Sequence, residues 1–189
     1  MTQQGKNAID LVLAESLIEL SAKKPIDKIT IKEITDKAGV IRPTFYNHFQ
    51  DKYELIEWII KTELLEPIKP LLNAGMIFEA IVLMLNNISA NSFFYKKALK
   101  LEGAVTFNQI AMKCVCEMFM NIISEKSTGK KSKYRWLTPE VISTYYAQSL
   151  CFITEGWIAQ GMDDIEPKEM AEAYMYLITR SMDDILSEL

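Results

Sequence analysis

The residues best suited to chemistry lie close together between positions 42 and 48. One short predicted helix carries a guanidinium, two hydroxyls, an amide and an imidazole, on Arg42, Thr44, Tyr46, Asn47 and His48. Proteins present such groups to the phosphate oxygens and base edges of DNA. Phe45 and Phe49 lie four residues apart, so they share the opposite face and are expected to anchor the helix in a core. The pattern predicts a short helix that binds nucleic acid.

The preceding elements would hold this helix in a helix-turn-helix. Apolar residues at helical spacing predict a first helix over about 6–22, which Pro25 ends. A second helix begins at Thr30, a good N-cap, and Glu33 is placed to complete a capping box. Gly39 ends it, because glycine tolerates the left-handed backbone that a tight turn needs. Two short helices joined by such a turn and packed on a longer one form the motif.

The stretch from Thr30 to Leu55 resembles the DNA-binding signature of the TetR family of bacterial regulators, and the resemblance covers about the first 60 residues. It implies a homodimer that binds a palindromic operator in double-stranded DNA. It also implies that Thr30 meets a phosphate. The residues expected to face bases are Arg42, Pro43 and Thr44. The residues expected to grip the DNA backbone are Tyr46, Asn47, His48 and Lys52.

Two residues depart from the family's pattern. Ile41 stands at the expected cap of the recognition helix, where the family usually has Ser or Thr, and Pro43 stands where a small residue is common. Isoleucine cannot form a hydrogen bond through its side chain, so a cap or phosphate contact is absent there. Either residue could instead pack on a thymine methyl group. We therefore expect an operator sequence that is unusual for the family.

A weaker resemblance concerns regulators found beside dihydroxyacetone-kinase genes in Gram-positive bacteria. It rests on residues 45–56 and 94–99. The remaining two thirds of the chain resembles the TetR family only in being helical.

The composition favours an all-α protein with two parts. Apolar residues make up 49% of the chain and charged residues 24%, and the seven Gly and six Pro fall between periodic segments. Residues 1–52 are predicted to form the helix-turn-helix DNA-binding domain and residues 53–189 a helical effector-binding and dimerisation domain. The helices predicted there cover about 52–66, which Pro67 and Pro70 end, then 75–89, 91–101, 104–126, 139–161 and 167–187.

The net charge of −4 is unusual for a protein that binds DNA. Residues 1–52 hold eight Lys or Arg against seven Asp or Glu, whereas residues 53–189 hold thirteen against eighteen. DNA affinity must then come from a few placed contacts rather than from a basic field. The alternative is a protein with this fold that acts through protein–protein contacts, or as a co-activator, without binding an operator on its own.

Little in the sequence could support catalysis or metal binding. The chain has one histidine, no closely spaced metal ligands and no nucleophile-elbow pattern. Cys114 and Cys116 lie two apart in a predicted helix and point to nearly opposite sides, so they cannot chelate one metal. We expect no enzyme, metal or cofactor. Cysteine usage fits a reducing compartment, and no segment predicts a membrane span or a secretion signal, so we expect a cytoplasmic protein.

The last two predicted helices carry apolar stripes at three- and four-residue spacing, which suit a four-helix bundle between two subunits. The residues predicted to form this dimer interface are Tyr145, Ser149, Ile153, Gly156, Trp157, Tyr174, Leu177, Ile178, Ser181 and Met182. The alternative is that these stripes face the chain's own core.

The middle of the chain is rich in aromatic and Met residues, which line apolar ligand pockets but also fill ordinary cores. Together with the family resemblance, this predicts a pocket for an unknown effector, either a small molecule or a protein, that modulates DNA binding by a repressor. The residues predicted to form it are Trp58, Phe94, Tyr95, Phe107 and Tyr146.

Overall fold

A computed structural model describes residues 3–103, 105–126 and 133–188, with side chains from residue 8 onward. Within these ranges the chain forms helices and no strands, so the predicted all-α architecture is confirmed. The helices are α1 (Gln3–Ser21), α2 (Ile31–Ala38), α3 (Arg42–Tyr46), α4 (Lys52–Ile59), α5 (Glu66–Asn73), α6 (Ile77–Ala90), α7 (Ser92–Ala98), α8 (Phe107–Lys126), α9 (Pro139–Ala159), α10 (Pro167–Thr179) and α11 (Met182–Glu188).

The first three helices form a compact unit in which α2 begins and ends where the sequence signals predict. Thr30 and Glu33 form the expected capping box at the start of α2, and Gly39 ends α2 with a φ of 68°. A short 3₁₀ turn, Ile26–Lys28, connects α1 to α2. The core of the unit consists of side chains that are at most 4% exposed, namely Leu13, Leu17, Ile26, Ile29, Ile34, Phe45 and Phe49. We call α1–α3 the reader unit.

The helical structure does not end at Pro67 and Pro70, contrary to the sequence prediction. A π-helical segment, Ile60–Leu65, follows α4 directly, and α5 follows the segment directly. Pro67 is the second residue of α5, directly after the π-helical segment. Pro70 lies inside α5. The result is a nearly continuous helical stretch from Lys52 to Asn73 that leads out of the reader unit.

Helices α6 to α10 surround the far end of this stretch. The most extensive helix–helix contact joins α8 and α9, and α10 packs on α6. The predicted last helix is interrupted at Arg180, whose backbone is extended, so α10 and α11 are separate helices. Among the described residues, no single helix is long and apolar enough to cross a membrane. Helices α6 and α7 together reach the necessary length and hydrophobicity, but they are bent by 87° relative to each other.

Candidate DNA-binding surface

Helix α3 presents polar groups to solvent on one side and buries aromatic rings on the other. Phe45 is fully buried, and its ring lies 5.7 Å from the ring of Tyr46 and 5.9 Å from that of Phe49, measured between centroids. Tyr46 is 48% exposed. The side chains of Arg42, Pro43 and Asn47 are also exposed, whereas Thr44 is half-buried. The residues in this stretch that are predicted to contact DNA therefore lie on or directly after one short helix, which Phe45 anchors in the core. They are Arg42, Pro43, Thr44, Tyr46 and Asn47.

Arg42 and Tyr46 form a pair on the solvent side of α3. Arg42 Nη2 donates a hydrogen bond to the Tyr46 hydroxyl at 3.0 Å, and the guanidinium carbon lies 5.5 Å from the centre of the Tyr46 ring. A neutral hydroxyl holds the guanidinium here, so its charge remains available to a phosphate or a guanine edge. The pair lowers the freedom of both side chains, which reduces the entropy that either loses on binding.

The beginning of α3 lacks a side-chain cap, as the sequence predicts. Ile41 is the N-cap residue, forms no side-chain hydrogen bond and is 69% exposed. Its backbone carbonyl accepts the Thr44 N–H at 2.9 Å. An isoleucine this exposed offers an apolar surface beside Arg42, of the kind that can contact a thymine methyl group.

Thr30 is exposed at the start of α2, but its hydroxyl already takes part in the capping box. The Glu33 N–H donates to Thr30 Oγ1 at 3.3 Å, and the Thr30 N–H donates to the Glu33 carboxylate at 2.9 Å. Lys24 Nζ lies 2.5 Å from the same carboxylate. The hydrogen bond from Lys24, followed by those from Thr30, lowers the pKa of Glu33 to about 2. Thr30 thus stands at a tightly bonded helix N-terminus, a position that favours an anion.

His48 does not face solvent, which departs from the prediction that it grips the DNA backbone. Its side chain is 2% exposed, and Nδ1 lies 2.6 Å from Oδ1 of Asp10 on α1. Asp10 is itself buried. The imidazole therefore joins the end of α3 to α1. Sequence analysis missed Asp10, although an acidic residue beside the apolar stripe of α1 was a signal that it needs a partner inside the fold.

Lys52 also lies inward rather than toward solvent. Its Nζ donates to the backbone carbonyls of Ile26 at 3.0 Å, Asp27 at 2.7 Å and Ile29 at 3.1 Å. An ammonium group has three N–H donors, so these bonds use all of them. Burial lowers the pKa of Lys52 from its usual range. Lys52 braces the 3₁₀ turn against α4, and a phosphate contact would require it to give up one of these bonds.

Four lysines around the reader unit are paired with carboxylates of the same unit. Lys24 pairs with Glu33, Lys28 with Asp27 at 3.1 Å, Lys32 with Asp36 at 2.6 Å, and Lys37 with Glu19. Such pairs weaken the positive field that these lysines would otherwise present to DNA. The surface is consistent with binding through a few placed groups on α3 rather than through a broad basic patch.

The residues predicted to form an effector pocket do not all come together. Tyr95 lies 5.2 Å from Phe94 and 6.2 Å from Phe107, between ring centroids, and all three are buried. Trp58 instead packs on Phe49 of the reader unit. Tyr146 packs on Phe119 and Tyr145 near the surface. Tyr95 and Phe107, but not Trp58 or Tyr146, line a small apolar cavity of about 50 Å³.

The residues predicted to form a dimer interface divide into exposed and buried sets. Tyr145, Leu177, Ser181 and Met182 are exposed, and Ser149, Ile153, Gly156 and Ile178 are half-buried. Trp157 and Tyr174 are 2% and 3% exposed, which departs from the prediction because the chain's own core encloses them. Trp157 Nε1 donates to the Ile165 carbonyl at 2.9 Å, and the Tyr174 hydroxyl lies 3.1 Å from Ser149 Oγ. Sequence analysis missed Phe152, which is 76% exposed on α9.

The three cysteines are free, and burial raises the pKa of Cys114 and of Cys151 to about 12. Among the residues that the structure describes, no group of His, Cys, Asp and Glu is placed to hold a metal ion.

Comparisons with known proteins place this architecture among bacterial regulators. A family model described as a transcriptional regulator C-terminal region, TetR_C_8, matches residues 76–180. A model described as bacterial regulatory proteins, tetR family, matches residues 15–59. The HTH-type dhaKLM operon transcriptional activator DhaS of Lactococcus lactis subsp. lactis (strain IL1403) is 26% identical over 152 residues, which is 79% of either chain.

Solved structures agree on the fold. The dihydroxyacetone kinase operon activator DhaS matches with a TM-score of 0.60 and 20% identity over 95% of either chain. Native NalD, the secondary repressor of the MexAB-OprM multidrug efflux pump in Pseudomonas aeruginosa, matches with a TM-score of 0.59 and 12% identity, over 92% of this chain and 96% of NalD. Both resemblances drawn from the sequence are confirmed.

Proposed function

Because the chain belongs to the TetR family and is a transcriptional regulator rather than an enzyme, we propose that it binds a specific operator in double-stranded DNA as a homodimer. Residues 1–52 serve as the DNA-binding domain and residues 53–189 as the effector-binding and dimerisation domain. The observation that carries the proposal is the solvent face of α3, where Arg42 and Tyr46 are exposed and held together above a buried Phe45.

The groups on that face divide by chemistry into base-reading and backbone-binding sets. Arg42 has a planar fork of donors that matches the edge of a guanine, and Thr44 and Pro43 lie beside it on the same helix. The hydroxyl of Tyr46 and the amide of Asn47 suit phosphate oxygens. The start of α2 at Thr30 adds a helix N-terminus that favours an anion. In this proposal His48 and Lys52 support the interface from behind rather than touching DNA with their side chains.

A dimer is proposed because one reader unit makes too few phosphate contacts to select a site alone. The exposed apolar side chains on the last helices supply the surface for it. Tyr145 and Phe152 lie seven residues apart on α9 and so share a face, and Leu177 and Met182 are 47% and 70% exposed near the end of the chain. Exposed apolar groups that share a helix face are typical of protein–protein interfaces.

The dimer surface can be tested by one substitution and a matched control. Phe152→Glu places a charge in the proposed interface, and Leu11→Glu places one on a similarly apolar residue that is 48% exposed on α1. Sedimentation should show that Phe152→Glu lowers the dimer fraction while Leu11→Glu leaves it unchanged. A Phe152→Glu protein that remains a dimer at micromolar concentration would contradict the proposed interface.

Repression and control by an effector complete the proposal. NalD is a repressor and DhaS an activator by their names, so proteins of this fold act in both directions. A repressor requires only that the dimer occupy its operator, whereas an activator must also contact other proteins. The effector acts by binding the state that cannot bind DNA more tightly than the state that can. The difference in binding free energy is about 1–3 kcal/mol.

The decisive experiment is binding of the full chain to fragments of its own gene's upstream region at two salt concentrations. The proposal predicts a sequence-selective complex of two protomers whose affinity falls as salt rises. The paired lysines of the reader unit favour one alternative, a protein of this fold that acts through protein partners. A folded dimer that fails to bind any fragment at low salt would favour that alternative.

A further inference from the structure

Ile41 is the most exposed large apolar side chain among the described residues of the reader unit. It is 69% exposed, which is more than Leu11, Val12 or Tyr46. Other side chains close the core of the unit, and Ile41 does not pack against it. Burying an isoleucine side chain is among the larger stabilising contributions that one residue can make. The folded chain leaves this contribution unused at the residue that directly precedes α3.

Backbone hydrogen bonds hold Ile41 in place from both sides. The Val40 N–H donates to the Thr35 carbonyl at 3.0 Å, and the Ile41 carbonyl accepts the Thr44 N–H at 2.9 Å. Isoleucine is branched at Cβ, so rotation about its first side-chain torsion is restricted. The methyl groups of Ile41 therefore lose little conformational entropy when they contact a partner.

The residues that follow Ile41 carry groups suited to DNA. Arg42 is exposed and hydrogen-bonded to Tyr46, and Pro43 is also exposed. In a helix-turn-helix, the N-terminal residues of the recognition helix contact base edges in the major groove. Ile41 and Arg42 are consecutive at that end of α3, and both are exposed. An apolar group and a guanidinium thus stand together where base edges are read.

The four bases differ in what they offer to an apolar side chain in the major groove. Thymine presents a methyl group there, on C5, whereas adenine, guanine and cytosine present hydrogen-bonding groups and no methyl. An isoleucine side chain placed over those polar groups would shield them from water without replacing their hydrogen bonds, which costs free energy. Ile41 therefore favours thymine by contact and disfavours the other bases by desolvation.

We propose that Ile41 is a specificity-determining residue that selects a thymine in each operator half-site through the 5-methyl group. The thymine lies in the base pair next to a guanine contacted by Arg42, because the two side chains follow each other at the start of α3. This inference rests on the proposed function and deepens it by naming a base that the regulator recognises. The contact is made by the side chain of Ile41 and requires no cap at the start of α3.

The test removes the methyl group of thymine without changing any hydrogen-bonding group of the base. Duplexes that the full chain selects from a random pool define the operator. Each thymine of one half-site is then replaced in turn by deoxyuridine, and fluorescence anisotropy measures the Kd. One replacement should weaken wild-type binding about fivefold, the effect of burying about one methyl group. Unchanged affinity at every position would overturn the inference.

Two variants assign the contact to a side chain. Ile41→Ala should bind the thymine and uracil duplexes equally, because the partner of the methyl group is gone. Pro43→Ala is the matched control, since Pro43 is also apolar and exposed, and it should keep the fivefold difference. The opposite result would mean that Pro43 contacts the methyl group and would overturn the inference. Thermal denaturation should give Ile41→Ala the Tm of the wild type, because Ile41 is exposed.

Measurements at two salt concentrations separate this inference from the proposed function. Operator affinity should fall as salt rises, whereas the fivefold effect of uracil should stay the same, because a methyl group displaces no counterions. A uracil effect that disappears at the higher salt concentration would point to a displaced phosphate contact and overturn the inference. A protein that selects an operator but does not distinguish thymine from uracil overturns the inference and leaves the proposed function intact. A folded protein that selects no duplex at low salt overturns both.

Discussion

The reader unit and the helices around Tyr95 differ in how they treat buried polar groups. In the reader unit Asp10 is paired with His48, the Ser21 hydroxyl donates to the Ile18 carbonyl, and the Thr35 hydroxyl donates within α2. Among the helices that follow it, the buried hydroxyls of Tyr95 and Thr154 have no partner among the described residues. Paired groups hold one geometry, which a helix that selects a DNA sequence requires. An unpaired buried hydroxyl instead costs free energy.

The largest expected effect comes from breaking the buried pair of the reader unit. Asp10→Ala leaves the His48 imidazole without its partner in a site that is 2% exposed, and should lower the free energy of unfolding by about 3 kcal/mol. Urea denaturation measures the change. The control is Asp36→Ala, which removes an exposed pair with Lys32 and should have no measurable effect. Equal stability of the two variants would show that the buried Asp10–His48 pair does not stabilise the reader unit.

Removing the guanidinium of α3 should affect DNA binding without affecting stability. Arg42→Ala should weaken binding to the operator by about 2 kcal/mol and should weaken binding to unrelated DNA much less, because a base contact is lost. Tyr46→Ala should weaken binding to both kinds of DNA to a similar degree. Fluorescence anisotropy with operator and scrambled duplexes measures both. An Arg42→Ala protein with unchanged preference for its operator would exclude Arg42 from base recognition.

Replacing Lys52 distinguishes a brace from a phosphate contact. Lys52→Met keeps the length of the side chain but leaves the carbonyls of Ile26, Asp27 and Ile29 without their donor, so stability should fall by about 1 kcal/mol. The dependence of the logarithm of operator affinity on the logarithm of salt concentration should keep its slope. A slope that falls by about one unit would mean that Lys52 contacts a phosphate directly.

The smallest expected effect concerns Glu63, which lies in the π-helical segment near Tyr95. Burial, followed by the charge of Glu15, raises the pKa of Glu63 in the folded protein. The folded state then binds the proton more tightly than the unfolded state, so this group's contribution to stability falls as the pH rises from the unfolded to the folded pKa. Glu63→Gln should remove that part of the pH dependence and be slightly more stable at pH 7. Chemical denaturation at several pH values measures the free energy of unfolding of both proteins. If Glu63 has no such role, the two plots of this free energy against pH will be parallel.

Several features followed from local sequence and could be predicted. The capping box at Thr30 and the left-handed turn at Gly39 depend on residues within nine positions of each other, and both occur as predicted. The uncapped start of α3 at Ile41 also follows from one residue type. The two prolines misled the prediction, because α5 follows the π-helical segment directly and contains Pro70.

The side-chain environments in the candidate sites could not be predicted in the same way. His48 looked like a DNA contact because its neighbours are polar, yet its partner Asp10 lies 38 positions earlier. Trp157 and Tyr174 carry the right spacing for an interface, but the packing of α9 and α10 turns them inward and turns Phe152 outward. Helical spacing defines which residues share a face and leaves open which face the rest of the fold covers.

The sequence by itself determined the family, the all-helical fold and the start of α3, because these depend on helix periodicity, caps and a contiguous motif. Only the tertiary structure decided which members of that motif point outward, with Arg42 and Tyr46 exposed and His48 and Lys52 held against the interior. It alone showed that the hydroxyls of Tyr95 and Thr154 are buried without a partner among the described residues. Burial and hydrogen bonding join residues that are distant in the chain, and no local pattern records those contacts.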